Sequence, residues 1–292
     1  MDVVIIFNGL GNQMSQYALY LQKKKNNSST RFITIGKAHN GFELNKVFKI
    51  DYSVTPLKKA LIFLFRILRI EKIKAISTPL KNLLKLFNCR IVGENFDYTF
   101  KEEYLLPSSG VTFYYGGWHS EKYFSGAKNE INKAFEFGTL TDDVNVNYIN
   151  DIINSNSVSI HVRRGDYLNA ENYNLFGDVC NKAYFQKAID LIEKSVNNPR
   201  FFVFSNDFPW IKDNLTMKNV AYVDCNVKEN SWKDMYMMTL CKHNIISNSS
   251  FSWWGAWLNK NPDKLVISPT RFLRNDISTD IYPDSWIKLS DY

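Results

Sequence analysis

The chain has 292 residues, 45% hydrophobic and 15% aromatic, which suffices for one large core or two medium ones and excludes a disordered or collagen-like chain. A formal net charge of +7 favours acidic partners such as phosphates, nucleic acid or an anionic membrane face. Cys89, Cys180, Cys225 and Cys241 form no C-x-x-C pair and no zinc spacing with His, and so read as reduced thiols.

The chain opens with a β-branched run, VVIIF (3–7), followed by an N-G-L-G-N-Q turn. In the next segment Met14, Tyr17, Ala18 and Leu21 fall on one helical face. Strand–turn–helix is how an α/β domain begins, and RFITI (31–35) fits a second strand. The opening run is too short for a signal peptide, and no stretch is apolar enough to span a bilayer, so a cytoplasmic protein is expected. Residues 57–87 form an apolar and basic block in which eight Lys and Arg face a single acid, Glu71. Two readings stay open for it: a segment lying on anionic lipid, or a core-packing helix pair with a solvated basic edge. VTFYYGGWHSEKYF (111–124) reads as a strand ending in Gly-Gly and a polar–aromatic turn.

The second half alternates strands and helices: a strand in 157–167, a helix in 181–196, strands at 200–207 and 219–224, and a helix at 231–243. A strand running into polar residues (244–250), a helix from 251 and a last strand (264–269) complete the series. Such alternation implies parallel sheets with right-handed crossovers. A polar stretch at 140–156 marks a boundary, giving domains 1–150 and 151–292 with a cleft between them.

Ligands of open parallel sheets bind outside the carboxyl ends of the strands. The polar residues gather there: His161, Arg163, Arg164 and Asp166 after one strand, Ser205, Asn206 and Asp207 after the next, and Ser247, Asn248, Ser249 and Ser250 after a later one. In HVRRGDY, strand alternation puts His161 and Arg163 on one face and Ile160 and Val162 on the core face. Arginine grips phosphate through parallel hydrogen bonds, so the motif fits an anion clamp with an orienting carboxylate. The alternative is a solvated strand end with Asp166 paired to Arg164.

In SNSSFSWWGAWL (247–258), a helix starting near Phe251 offers its first-turn N–H groups and positive dipole end to an anion, with Ser249 and Ser250 at the cap. Trp253, Trp254 and Trp257 would wedge that helix against the sheet, and Gly255 admits a close neighbour. GLGNQM is neither a dinucleotide fingerprint nor a Walker loop. Asn12 and Gln13 would project from its turn as neutral hydrogen-bonders suited to sugar hydroxyls. The chain has no D-x-D, so a metal-bridged diphosphate is not indicated and fixed cationic and dipolar groups must carry leaving-group charge.

Together these motifs resemble the inverting α-1,2-fucosyltransferase family. N-G-L-G-N-Q-M-S-Q-Y-A matches its G-G-L-G-N-Q-M-F-Q-Y-A-type start, with Asn8 for Gly and Ser15 for Phe. H-V-R-R-G-D-Y matches in full. V-F-S-N-D-F-P-W (203–210), S-N-S-S-F-S-W-W-G-A-W-L and G-G-W-H-S-E-K-Y-F (116–124) are similar to further family segments, the last having His119 where the family has Gln. The resemblance implies a GT-B-like α/β fold of two Rossmann-like domains facing across a cleft. It also implies a GDP-β-L-fucose donor used without metal or other cofactor, and transfer with inversion to the 2-hydroxyl of a terminal galactose in surface-glycan (O-antigen or capsule) synthesis.

It implies residue roles as well. Arg163 holds the β-phosphate, with Asp166 and Asn12 the other catalytic candidates and Glu171 a second nearby carboxylate. Donor-binding candidates are His161 near the guanosine, Arg163, Arg164, Asn206, Asp207, Asp234 as guanine reader, Ser249, Ser250 and Phe251. Acceptor-binding candidates are Asn12, Gln13, His119, Ser120 and Glu121. The implied setting is cytoplasmic, peripheral at the inner membrane, with a lipid-linked acceptor, contact through 57–87, and no nucleic acid. The alternatives are a transferase using another GDP-sugar and a non-catalytic nucleotide-sugar or glycan-binding protein.

Overall fold

The computed structural model describes residues 1–36, 40–69, 84, 88–94, 98–274 and 280–290. The chain divides into two compact units, Met1–Glu136 and Phe137–Tyr292. That division lies before the expected 150/151. The reason is helix 143–153: its Ile152 is buried with Phe202, Phe204 and Met237, and its Asn145 hydrogen-bonds Asn226 (2.8 Å), all in the second unit.

In the first unit, β1 (Asp2–Ile6), β2 (Arg31–Thr34), β3 (Cys89–Gly93) and β4 (Val111–Tyr115) form a parallel sheet in the order β2-β1-β4-β3. Every residue of β1 is buried, as a parallel strand covered on both faces requires. Four helices accompany the sheet among the described residues: α1 (Leu10–Asn26), α2 (Leu44–Phe48), α3 (Pro56–Arg69) and α4 (Lys128–Ala134). Leu61 and Phe65 of α3 pack on Val3, Ile5, Ile33 and Phe113, while Phe63 stands 67% exposed. Most of the rest of the basic 57–87 block lies outside the described residues. On α1, Lys23 is buried against Asp2 (3.1 Å) and lies 3.9 Å from the Tyr114 ring centre; burial pulls its ammonium pKa down.

In the second unit, β5 (Asn156–Val162), β6 (Pro199–Ser205), β7 (Val220–Val223), β8 (His243–Ile245), β9 (Val266–Pro269) and β10 (Ile287–Leu289) form a parallel sheet in the order β10-β9-β8-β5-β6-β7. The helices are α5 (Asp143–Ile153), α6 (Ala170–Phe176), α7 (Lys182–Ser195), α8 (Phe208–Asn214), α9 (Trp232–Leu240) and α10 (Ser250–Trp257). Strand periodicity divides the core. Phe201 and Val203 of β6 join Val158, Ile160 and Val162 beneath Tyr184, Phe185, Ala188, Ile189 and Ile192 of α7. Phe202 and Phe204 point the other way, onto Met237 and Met238 of α9.

Three expectations change. The helix at 231–243 stops at Leu240, because His243 already begins β8. The strand at 266–269 is followed by β10. β5 has no solvated face, since His161 is as buried as its neighbours. Both units are α/β and Rossmann-like with wholly parallel sheets, the GT-B-like class expected.

Candidate active site

Strand order locates the site. The second unit's chain starts at β5, builds outward through β6 and β7, then returns to the other side of β5 as β8, β9 and β10. The topological switch point therefore lies between β5 and β8, where crevices form at the strands' carboxyl ends. Arg163 directly follows β5, and the Ser247–Ser250 segment follows β8 after Ile246. These are adjacent central strands, about 4.8 Å apart.

Cross-links fasten the two loops together. His161 Nδ1 lies 3.0 Å from Ser247 Oγ, and its ring is 5.6 Å from that of Phe251. The Tyr167 hydroxyl donates to the Asn248 carbonyl (3.0 Å). Asn248 is 1% exposed, and its amide donates to the carbonyls of Phe176 (3.1 Å) and Phe272 (2.9 Å). Burial, with the Arg163 charge beside it, pushes the His161 pKa down to about 3, so the ring is neutral at pH 7.

Arg163 is held by the carboxylate three residues on. Its Nε lies 2.8 Å from Asp166 Oδ1, and its Nη2 donates to Oδ2 at 2.9 Å. Asp166 thus pairs with Arg163 rather than Arg164, and both its oxygens are turned to that guanidinium. Among the described residues Nη1 has no partner, so it remains for an incoming oxyanion. Arg164 instead meets Asp207 (3.1 Å), with its guanidinium 4.0 Å from the Trp210 ring centre.

Asp207 also caps α8, accepting from the Trp210 N–H (3.2 Å). Asn206 Oδ1 accepts from the backbone N–H groups of Arg164 (3.3 Å) and Gly165 (3.2 Å). A Cβ on Gly165 would lie 2.2 Å from the Asn206 amide nitrogen, so the loop approaches that closely only with glycine. Arg164, Asn206 and Asp207 therefore shape the turn that presents Arg163.

Ser249 is the N-cap of α10, its hydroxyl accepting from the Phe251 N–H (3.3 Å), and Ser250 is the first helical residue. Trp253 and Trp254 are buried; Trp253 Nε1 donates to the Ile281 carbonyl (2.9 Å) and its ring stacks on Trp257 (6.2 Å, 12°). A Cβ on Gly255 would meet Met238 at 3.0 Å, which explains how closely α9 packs. The tryptophans anchor the helix, and its cap stays beside β5. On α9, Asp234 accepts from Asn226 Nδ2 (2.8 Å), and burial pushes its pKa up to about 7. Glu171 lies in the first turn of α6.

The first unit has its own switch point, between β1 and β4. Gln16, fully buried, spans it: its side chain accepts from the Phe7 N–H (2.9 Å) and donates to the Gly116 carbonyl (3.1 Å). Asn8 adopts φ 65°, a left-handed conformation that asparagine tolerates in place of glycine. The helix begins at Leu10, so Asn12 and Gln13 sit in its first turn rather than on a loop.

Gln13 is turned inward: it donates to the carbonyls of Asn8 (2.7 Å) and Gly41 (2.7 Å) and accepts from the Glu43 N–H (2.9 Å). Its side chain is consumed in that staple, contrary to the expected projection. His119 is buried, 3.0 Å from Ser15 Oγ, and burial lowers its pKa to about 4. Ser15 and His119, which both differ from the motif residues quoted above, thus touch each other. Ser120 is 1% exposed and caps a 3₁₀ turn through Lys122 N–H (3.4 Å). Among the expected acceptor residues, Asn12 and Glu121 retain partial exposure, Glu121 lying 3.8 Å from Lys128.

Sequence reasoning missed Tyr167, Asn248 as a tether, and Gln16. Tyr167 lay inside a quoted motif, and its ring at a loop junction was the available signal.

The family description glycosyl transferase family 11 matches residues 2–290. The chain is 32% identical to the alpha-1,2-colitosyltransferase of Escherichia coli, covering 99% of both proteins. It is 31% identical to the O-antigen biosynthesis glycosyltransferase WbnK of Escherichia coli, covering 96% of this chain and 98% of that one. The fucosyltransferase NodZ from Bradyrhizobium is similar in structure, with a TM-score of 0.48 and 10% identity over 87% of this chain and 91% of that one. A match along virtually the whole chain makes this protein a member of glycosyl transferase family 11.

Proposed function

We propose that this glycosyltransferase moves L-fucose from GDP-β-L-fucose to the 2-hydroxyl of a terminal galactose, with inversion, in O-antigen or capsule assembly. One observation carries the reading. A carboxylate-held arginine and a serine-capped, tryptophan-anchored helix end side by side at the switch point of a Rossmann-order sheet. That arrangement suits a diphosphate leaving group. The relatives named for α-1,2 transfer and for O-antigen biosynthesis support the linkage and the glycan class.

In the proposed reaction the acceptor oxygen attacks C1 of the sugar from the face opposite the nucleotide. The C1–oxygen bond to the β-phosphate breaks with its electron pair going to the diphosphate, and the acceptor proton leaves to a base or to water. Negative charge grows on the diphosphate, where Arg163 Nη1 and the α10 cap stabilise it. Fixed groups meet that charge, and no metal or cofactor is needed. Neutral His161 and the Asp234 carboxylate lie on the donor side, Asp234 accepting from the N1 and N2 donors of guanine. The acceptor sits on the first unit, near Asn12 and Glu121.

The exposed Phe63 and the lysines of α3 suit contact with an anionic inner-membrane surface, where a lipid-linked acceptor would lie. Among the described residues no helix is long and apolar enough to cross a membrane.

A second reading is favoured by the colitosyltransferase relative: the donor sugar is colitose. Incubation with GDP-fucose, GDP-colitose and GDP-mannose against galactosyl disaccharides, followed by linkage analysis, tests both. An α-1,2-fucosylated galactoside supports the first reading. Turnover of GDP-mannose alone, or GDP binding without any product, rejects it.

A further inference from the structure

The first unit contains a cavity of about 530 Å³, a size suited to a small ligand. It opens at the carboxyl ends of three neighbouring strands: Phe7 and Asn8 follow β1, Gly36 follows β2, and Tyr115 closes β4. This is where open parallel sheets bind ligands. Helix α3 supplies the facing wall through Phe65, Arg66 and Arg69.

The lining combines two chemistries. Phe7 and Tyr115 stack with ring centres 4.6 Å apart at 20°, and Phe65 lies 5.7 Å from Tyr115, which makes an aromatic surface able to take the C–H face of a pyranose. Arg69 lies with its guanidinium carbon 4.5 Å from the Tyr115 ring centre, a stacked position that keeps its planar fork oriented. Arg66 is exposed one turn away. Among the described residues no carboxylate lines the cavity, and neither arginine has a carboxylate within 4.0 Å. Paired guanidiniums without acids suit an oxyanion held through parallel N–H bonds.

We propose that this pocket reads an acidic acceptor: a glycan whose sugar lies on the Phe7–Tyr115 stack and whose phosphate or carboxylate is held by Arg66 and Arg69. The proposal rests on the transferase reading and narrows its acceptor to one carrying an oxyanion. Two sources share that chemistry, the phosphate joining a glycan to its carrier and the carboxylate of an acidic sugar.

The test uses one galactosyl disaccharide in three forms: a neutral methyl glycoside, a reducing-end phosphate, and a form with a uronic acid as the second sugar. Kinetics are measured for the full chain and for Arg66→Gln, Arg69→Gln and Arg66→Lys. Titration of each disaccharide without donor gives binding independently of turnover, and circular dichroism checks folding. An anionic form is expected to show a KM at least tenfold below the neutral one. Arg66→Gln or Arg69→Gln should erase that preference, and Arg66→Lys should keep part of it. The donor KM should not move. Preference for the phosphate or for the uronate identifies the source. Equal KM and equal binding for all three forms overturn the proposal while leaving the transferase reading intact. Absence of turnover with every donor and acceptor counts against the transferase reading instead, and the donor-free titration then still decides the pocket.

Discussion

Replacing Arg163 with alanine separates catalysis from folding. Asp166 occupies the Nε and Nη2 side of the guanidinium, which turns Nη1 to the position assigned to the diphosphate. Removing one preorganised contact to developing charge raises a barrier by about 2.7–4 kcal/mol, so kcat should fall roughly 10²–10³-fold. The structural loss is small by comparison. The pair is about one-third exposed on both sides, and solvent-screened ion pairs contribute about 0–1 kcal/mol. Arg163→Lys keeps the charge but cannot meet Asp166 and a phosphate oxygen together, so it should recover only part of the loss. Asp166→Asn should lower kcat by about tenfold, because the guanidinium stays but is no longer fixed. Steady-state release of GDP, with thermal unfolding of each variant, gives both quantities. Arg163→Ala turnover within threefold of the unsubstituted protein, or a loss fully matched by unfolding, would refute the reasoning.

Three further outcomes are expected. Asn248→Ala leaves the Phe176 and Phe272 carbonyls without their donor, which should cost about 1–3 kcal/mol in chemical denaturation and raise the donor KM. The Asp234 carboxyl has a pKa raised to about 7 against an ordinary 3.8 in the unfolded chain, so the native state binds more protons between those values. Stability of the ligand-free protein should therefore fall as pH rises from about 4 to about 7, while GDP binding strengthens as the carboxylate forms. Asp234→Asn should flatten both trends in calorimetry, and an unchanged slope would remove Asp234 from that role. Turnover should survive a chelator such as EDTA, whereas its loss and recovery on adding a divalent cation would reject metal-independent transfer.

What the sequence revealed, and what it concealed, follows the range of the forces involved. β6 was legible from its continuous apolar run, β5 from the alternation of Val158, Ile160 and Val162 with polar residues, and helix α7 because its apolar face repeats at helical spacing. β10 has three residues and β3 five, and neither announces itself without the neighbour it pairs with. The residue types at the strand ends were also legible, since the carboxyl edge of a parallel sheet collects ligand-binding side chains. Partner choice was not. Asp166 turns to Arg163, and Arg164 turns to Asp207, 43 residues along the chain, because the β5–β6 pairing brings that carboxylate alongside. Gln13 has the look of a ligand-binding residue, yet two of its three bonds reach a segment about 30 residues away, the third returns to Asn8, and together they fill its side chain. Ser15 and His119 lie over 100 residues apart and meet only because β1 and β4 are neighbours.

The central claim is that Arg163 and the capped start of α10 hold one diphosphate. A crystal structure of the protein with GDP measures this directly. The β-phosphate oxygens should lie within about 3 Å of Arg163 Nη1 and of a backbone N–H at Ser250 or Phe251, with Asp166 still on the far side of the guanidinium. A diphosphate bound to only one of these groups, or to neither, would contradict the account.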